Sequence, residues 1–267
     1  MNIFLKTEDE IELMREANLL VGKTLAEVGR HVKPGVSTLQ LDKIAEEFIC
    51  DNGAIPTFKG FPSSYGTPFP GSICASVNDV VVHGVPSEDV VLKDGDIISI
   101  DCGALLNGFN GDSCYTFCVG EVSEDIMNLL RATKESLYKG IEVAEAGHHV
   151  GDIGHVIQEY CQAQGYGIVR ELTGHGIGRE MHEDPSIPNY GKRGTGVLLK
   201  VGMCIAIEPM VTMGNREIGL LPDSWSIVTR DHRPAAHFEH TIAIRAGKAD
   251  ILSSFEEVEH LEGQNFN

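Results

Sequence analysis

The chain has 267 residues, of which 42% are apolar and 22% charged, and a formal net charge of −18 at pH 7. This composition is typical of a globular protein with a substantial core, and its acidity disfavours nucleic acid and anionic membrane surfaces as general partners. Because of this acidity we expect no nucleic-acid binding. No apolar run approaches the roughly 20 residues that a bilayer-spanning helix needs, so we expect no membrane insertion.

The N-terminal sequence, MNIFLKTEDEIELMREANLL, becomes acidic and amphipathic within a few residues. This pattern is typical of a first helix rather than of a signal or transit peptide. The seven cysteines include no Cys-x-x-Cys pair, which indicates reduced, packed thiols rather than a disulfide framework or a Cys-rich zinc site. Together these features predict a cytoplasmic protein.

Two segments form an internal repeat. LMREANLLVGKTLAEV aligns with LLRATKESLYKGIEVA at an offset of 116, and GVSTLQLDKIAEEFICDNG aligns with GHHVGDIGHVIQEYCQAQG at an offset of 112. Each copy predicts two amphipathic helices joined by a Gly-containing turn. Two unrelated pairs of amphipathic helices could align equally well, and that alternative stays open.

Strand-like stretches lie between and after the repeats: GSICASVNDVVVHGV, DIISIDCGALL, FNGDSCYTFCVG, VLLKVGMCIAIEPMVTM and HFEHTIAIRA. No low-complexity linker separates the two copies. We predict one α+β domain over residues 1–267, built by duplication from halves at about 1–120 and 121–250. The acidic tail at about 253–267 is predicted to fray.

Asn107-Gly108, between two apolar runs, is the strongest short-range signal for a two-residue hairpin turn. Counting outward from the turn places Gly103 opposite Asp112, and Asp101 and Asp112 on one face with Cβ atoms within about 7–8 Å. Two buried carboxylates this close repel each other unless cations lie between them, and a pair of divalent ions would serve. The alternative is a hairpin whose polar face is simply exposed to water.

Three further residues are candidate metal ligands. Glu208 occurs in the apolar strand CIAIEPM, where Pro209 favours an extended backbone, and Glu239 occurs in AAHFEHTIAI. His175 lies in the glycine-rich stretch TGHGIGREMHEDP, which also contains His182. Taken singly, such glutamates are more often edge residues or ion-pair partners, and such histidines are more often incidental residues of an exposed loop.

The motifs VVHGVP, DCGALLNGFNGDS, TGHGIGREMHEDP, IEPM and FEHT, in this order and spacing, resemble those of the methionine aminopeptidases of the short bacterial type (type I). The resemblance runs from about residue 5 to about residue 250. It implies the pita-bread fold, a pseudo-twofold α+β domain with a curved antiparallel sheet and outer helices. It also implies an enzyme that removes the N-terminal methionine when the second residue is small.

The resemblance assigns the ligands of two divalent metal ions to five residues: Asp101, Asp112, His175, Glu208 and Glu239. Asp112 and Glu239 would bridge the ions, His175 and Glu208 would complete one, and Asp101 would chelate the other. A water between the ions would be the nucleophile, and Glu208 would help to carry its proton. The carboxylate-rich set favours Mn²⁺ or Fe²⁺, while Co²⁺ or Zn²⁺ could also occupy the site.

The same resemblance implies which residues contact substrate. His83 would hydrogen-bond the scissile amide, and His182 would reach the carbonyl oxygen, where negative charge develops. The methionine pocket would be lined by Phe61, Phe69, Cys74, Met181 and Trp225. The additional residues PSSYGTP leave the assignment of Phe61 and Phe69 open. Alternatively, His83 and His182 are ordinary surface or core histidines, and the apolar residues of the pocket are part of ordinary core packing.

Partners follow from the resemblance as well. They are nascent polypeptide N-termini, with transient ribosome contact, and the family precedent is a monomer. Two other functions remain in view. An Xaa-Pro peptidase of the same fold usually carries an additional N-terminal domain and spaces its histidines differently. A non-catalytic binding protein would be expected to have lost metal ligands.

Overall fold

A computed structural model describes residues 2–63 and 66–261, and within them the chain forms five helices and fifteen strands. The helices are α1 Glu8–Gly29, α2 Thr38–Asp51, α3 Glu124–Glu142, α4 Val150–Ala163 and α5 Glu256–Leu261. The strands are β1 Ile55–Pro56, β2 Ile73–Val77, β3 Val80–Val82, β4 Ile97–Leu106, β5 Phe109–Cys118, β6 Gly167–Ile168, β7 Thr173–Gly176, β8 Glu183–Pro188, β9 Cys204–Ile207, β10 Met210–Thr212, β11 Ile218–Leu220, β12 Ile227–Thr229, β13 Ala235–His237, β14 Glu239–Ala243 and β15 Asp250–Ile251.

The predicted helix pairs are present at the spacing of the sequence repeat. Helices α1 and α3 begin 116 residues apart, at Glu8 and Glu124, and helices α2 and α4 begin 112 residues apart, at Thr38 and Val150. Helix α1 starts after the N-cap Thr7, which forms a capping box with the third helical residue. None of the helices in the described part of the chain combines the length and apolarity needed to cross a membrane.

The β4–β5 hairpin has the register that the sequence predicts. Leu106 pairs with Phe109 across a turn in which Asn107 and Gly108 have φ angles of 53° and 81°. Both values lie in the left-handed region that a two-residue hairpin turn requires. Gly103 lies opposite Asp112, as expected.

One nine-stranded antiparallel sheet joins the two repeats. Its order is β1-β4-β5-β14-β9-β7-β8, with β2 also paired to β4 and β15 to β14. Strands β4 and β5 follow the first helix pair, and β7, β8, β9 and β14 follow the second. Central strands from both halves therefore lie side by side.

Helix α1 packs directly against the back of β5. A Cβ atom at Gly111 would lie 2.6 Å from the Ala17 carbonyl carbon and from the Asn18 amide nitrogen. The buried Asn18 side chain accepts a hydrogen bond from the Asp112 backbone N–H at 3.1 Å and donates one to the Met14 carbonyl at 2.8 Å. Because side chains alternate along a strand, Asp112 points to the face of the sheet opposite α1.

The predicted fraying of the tail from Ser253 is wrong for residues 253–261. Phe255 and Val258 are buried, and the Ser253 hydroxyl lies 2.7 Å from His240 Nδ1. These contacts hold the segment that precedes α5, and Val258 within α5, against the core, even though the neighbouring residues are acidic. Residues 262–267 lie outside the described part of the chain.

The contact between α1 and β5 generates a stability prediction. Gly111→Ala should lower the free energy of unfolding by about 1–3 kcal/mol, because its new methyl group can be accommodated only by moving the helix backbone. Urea denaturation of the metal-free protein measures this change. Gly219→Ala is the matched control, since the nearest atom to its new Cβ would be 4.0 Å away. Equal stability of the two variants would contradict the tight packing.

Candidate metal centre

The five predicted ligands converge on one face of the main sheet. Four of them lie within strands: Asp101 on β4, Asp112 on β5, His175 on β7 and Glu239 at the start of β14. Glu208 was expected within an apolar strand, but β9 ends at Ile207 and Glu208 follows it. Its side chain is still only 13% exposed.

The cross-strand register explains why these residues meet. Cys74 pairs with Asp101, Asp101 pairs with Cys114, and Cys114 pairs with Glu239. Residues that are directly opposite in antiparallel strands point to the same face, so the four side chains form a row across β2, β4, β5 and β14. Asp112 is two residues before Cys114 and therefore shares this face.

The distances between the candidate ligand atoms would allow them to share a metal ion. One ligand atom from each of Asp112, His175 and Glu239 lies within 4.8 Å of the others. His175 Nε2 is 3.5 Å from Asp112 Oδ2 and 3.6 Å from Glu208 Oε1. The Asp112 carboxyl group is close enough to Asp101 to contribute, after burial, to the raised pKa of Asp101.

Burial and crowding perturb all four carboxyl groups. Burial raises the pKa of Asp112 to about 8. Burial and then the charges of neighbouring carboxylates hold the pKa values of Asp101, Glu208 and Glu239 well above their usual range. Among the described residues, Asp101 Oδ1, Asp112 Oδ1 and Glu239 Oε1 are buried oxygens without hydrogen-bond partners. Divalent cations would satisfy these oxygens and remove the repulsion.

His175 has its coordinating nitrogen turned toward the carboxylates. Its Nδ1 lies 2.9 Å from the Gly176 carbonyl oxygen, which places the proton on Nδ1 and leaves the Nε2 lone pair free to bind metal. Burial lowers the pKa of His175 to about 4. The imidazole is therefore neutral at pH 7, as a metal ligand must be.

A cavity of about 140 Å³ opens above the five ligands. Four of the predicted pocket residues line this cavity: Phe61, Phe69, Cys74 and Trp225. Phe58, which we did not predict, lines it as well. Phe58 belongs to the same FKGF stretch as Phe61, so its sequence position was the available signal. Met181 lies behind this wall, in the same buried cluster, where a Cβ at Gly103 would lie 2.3 Å from its Cε.

The additional residues between Phe61 and Phe69 leave the pocket wall intact. The Phe69 N–H donates to the Phe61 carbonyl at 2.9 Å, and the Gly60 N–H donates to the Phe69 carbonyl at 2.8 Å. These bonds bring the two segments together on either side of residues 62–68. Residues 64–65 of this stretch are outside the described part of the chain.

The two predicted substrate histidines border the same cavity. The His182 ring centroid is 4.4 Å from that of His175 and 5.2 Å from that of Phe61. His83 has a left-handed backbone, with a φ of 57°, and burial followed by the charge of His182 lowers its pKa to about 4. His83 can therefore act as a neutral hydrogen-bond partner at pH 7.

Comparison with known proteins identifies the family of this chain. The model of a family described as metallopeptidase family M24 matches residues 12–246, and the chain belongs to that family. Among its relatives is methionine aminopeptidase 1 of Bacillus subtilis (strain 168), which is 51% identical over 251 residues, 94% of this chain and 99% of that protein. The predicted resemblance is thereby confirmed.

Solved structures confirm the fold. The crystal structure of methionine aminopeptidase from Rickettsia prowazekii matches with a TM-score of 0.91 and 41% identity, covering 95% of this chain and 100% of that one. The Xaa-Pro dipeptidase from Bacillus anthracis shares the fold at a TM-score of 0.75 and 23% identity, and 94% of this chain covers 62% of that one. The pita-bread fold and the metallopeptidase class are therefore those predicted.

The geometry separates the roles of the two histidines in TGHGIGREMHEDP. His175→Ala should reduce bound metal and abolish turnover together, because Nε2 faces the carboxylates directly. His182→Ala should keep the full metal content and lose roughly 10²–10³ in kcat, the usual cost of removing a donor to a developing oxyanion. Atomic emission analysis beside steady-state kinetics measures both quantities. Loss of metal from His182→Ala would contradict this separation.

The raised carboxyl pKa values predict how stability depends on pH. A carboxyl group whose pKa rises on folding lowers stability as pH increases from its ordinary pKa toward the folded value, about 8 for Asp112. A histidine whose pKa falls on folding has the opposite effect, because it makes the protein more stable as pH rises. For His175 this effect is confined to pH values below its ordinary pKa of 6.5. Metal-free protein should therefore lose thermal stability between pH 6.5 and 8, and Mn²⁺-loaded protein should lose less. If the melting temperatures of the two forms change equally between pH 6.5 and 8, this prediction is wrong.

Proposed function

We propose that the chain is an aminopeptidase that removes the N-terminal methionine from peptides and nascent proteins whose second residue is small. The observation that carries the proposal is the cluster of four carboxylates and His175 at the floor of a cavity with an aromatic wall. The similarity to methionine aminopeptidases supports the same activity.

The proposed ligands of two divalent ions are the five converging residues: Asp101, Asp112, His175, Glu208 and Glu239. Asp112, His175 and Glu239 would hold an ion together, because their ligand atoms lie within 4.8 Å of one another. When bound, such ions act as Lewis acids and lower the pKa of a water molecule toward neutrality. The oxygen-rich set favours Mn²⁺ or Fe²⁺ over Co²⁺ or Zn²⁺.

The remaining residues of the cavity have separate tasks in this proposal. Phe61, Phe69, Cys74 and Trp225 form an apolar wall suited to the methionine side chain. His83 hydrogen-bonds the scissile amide, and His182 donates to the carbonyl oxygen as negative charge develops there.

Glu208 completes the set. Its Oε1 lies 3.6 Å from His175 Nε2, so Glu208 is beside the proposed metal ligands and within reach of the attacking water, whose proton it would take up and release.

We further propose a single catalytic domain that acts as a cytoplasmic monomer and meets nascent chains through transient ribosome contact. The main sheet supports the single domain, because strands from both repeats contribute ligands. The seven cysteines, none of which forms a disulfide, fit a reducing compartment. A binding protein of this fold would have no need of a complete set of five buried ligands.

Peptide hydrolysis tests the function directly. The wild-type protein with Mn²⁺ should release methionine from Met-Ala-Ser much faster than from Met-Phe-Ser. The reason is that a substrate whose amino group is bound at the proposed metal site has little space for a second residue beyond the scissile bond. Chelator should abolish both rates, and added Mn²⁺ should restore them. Free methionine can be quantified by chromatography. Equal rates for the two peptides, or full activity in chelator, would exclude the proposed activity.

A further inference from the structure

One short loop connects two walls of the proposed substrate pocket. Residues 221–226 join β11 to β12, and within this loop the Asp223 carboxylate accepts three hydrogen bonds. Oδ1 accepts from the backbone N–H groups of Trp225 and Ser226, at 2.9 and 2.8 Å, and Oδ2 accepts from the Ser226 hydroxyl at 2.6 Å. Burial alone would raise the pKa of Asp223, but these bonds outweigh it and lower the pKa. Asp223 is therefore a carboxylate at neutral pH.

Ser226 extends this network to the segment that carries His83. Its hydroxyl oxygen accepts the backbone N–H of Val85 at 3.2 Å and lies 3.4 Å from the His83 carbonyl oxygen. The single hydroxyl proton is used in the shorter bond to Asp223, so the approach to His83 is a packing contact. Ser226 is only 4% exposed, which excludes water as a ready substitute for its hydroxyl.

The backbone at His83 needs such support. A non-glycine residue with a φ of 57° is in a sparsely populated region that costs of order 1–3 kcal/mol unless the surroundings hold it. Two serines hold the residues that follow: the Ser76 hydroxyl accepts the Gly84 N–H at 3.1 Å, and the Ser226 hydroxyl accepts the Val85 N–H.

Trp225 is fixed by the same loop. Its backbone N–H is bound to Asp223, its indole Nε1 donates to the Thr67 carbonyl at 2.9 Å, and its ring packs edge-on against Phe69 with centroids 5.1 Å apart. Trp225 and His83 also meet edge-on, at 6.3 Å between centroids.

We propose that Asp223 and Ser226 are positioning residues for the reaction. Ser226 fixes the left-handed turn that directs the His83 ring into the cavity. Asp223 fixes Ser226 and, through the Trp225 backbone, the wall that would contact the methionine side chain. One carboxylate thus couples the residue at the scissile amide to the residue at the side chain of the substrate. This inference rests on the proposed function.

Two substitutions separate the two branches of the network. Ser226→Ala removes only the branch to His83, so kcat should fall about tenfold while KM changes by less than about twofold, since small displacements of a catalytic group are costly in rate. Asp223→Ala removes both branches, so kcat should fall and KM should rise. Asp223→Asn keeps the Oδ1 acceptor and the Ser226 hydroxyl but removes the Oδ2 acceptor, so its kcat should lie between those of the wild type and Ser226→Ala, with KM nearly unchanged.

Asp231→Asn is the matched control. Asp231 also caps a turn in this part of the chain, by accepting the backbone N–H groups of Asn215 and Arg233 at 2.7 and 3.2 Å. No hydrogen bond or ring contact links Asp231 to His83 or Trp225 within the described residues. Its substitution should change kcat and KM by less than about twofold.

A double-mutant cycle distinguishes positioning from general destabilisation. In a His83→Ala background, Ser226→Ala should cost less than about twofold in kcat, because the group that it positions is already gone. The same tenfold loss in both backgrounds would overturn the proposal. Wild-type kinetics from Ser226→Ala would also overturn it. If the wild-type protein releases no methionine, the proposed function is wrong, and this inference is wrong with it.

A second measurement is independent of turnover. The His83 side-chain resonance of the ¹⁵N-histidine-labelled, metal-free protein can be assigned by its loss in His83→Ala. It should shift or broaden in Ser226→Ala and Asp223→Asn and stay unchanged in Asp231→Asn. A resonance that does not move in Ser226→Ala would show that the hydroxyl does not hold His83, and would refute the inference even where residual activity is too low to measure.

Discussion

The crowding of four carboxyl groups, those of two buried and two partly buried residues, is the constraint on which the site depends. Burial raises the pKa values of Asp101, Asp112, Glu208 and Glu239, and three of their oxygens have no hydrogen-bond partner among the described residues. A chain gains nothing in stability from such an arrangement by itself. Bound divalent cations would convert the same arrangement from a repulsive cluster into the proposed ligand set, which neutral His175 would complete.

The fold supplies the rigidity that this cluster requires. Four of the proposed ligands lie on strands of one sheet and Glu208 directly follows another, and the Asp112 backbone N–H is bound by Asn18 of helix α1. The cavity residues proposed to contact substrate lie instead on connecting segments, with His83 after β3 and Trp225 between β11 and β12. Strand pairing therefore holds the proposed metal ligands in place, whereas the positions of His83 and Trp225 depend on side-chain hydrogen bonds.

Much of this could be predicted from residues because the rules involved are local. The Asn107-Gly108 turn specifies the register of β4 and β5, and the register alone puts Asp101 and Asp112 on one face. The positions of His83, His182 and the pocket residues depended on family resemblance, since their contacts join distant segments. Phe58, the packed start of α5 and the Asp223–Ser226 network were not predicted, because they arise from tertiary packing that no short pattern encodes.

Calorimetric titration of the metal-free protein with Mn²⁺ at pH 7 tests the central claim most directly. Two ions should bind per chain, and repetition in buffers of different ionisation enthalpy should reveal proton release, because carboxyl groups with raised pKa values must lose protons to bind metal. Binding without proton release, or no binding at all, would contradict the account of a protonated carboxyl cluster that is completed by two cations.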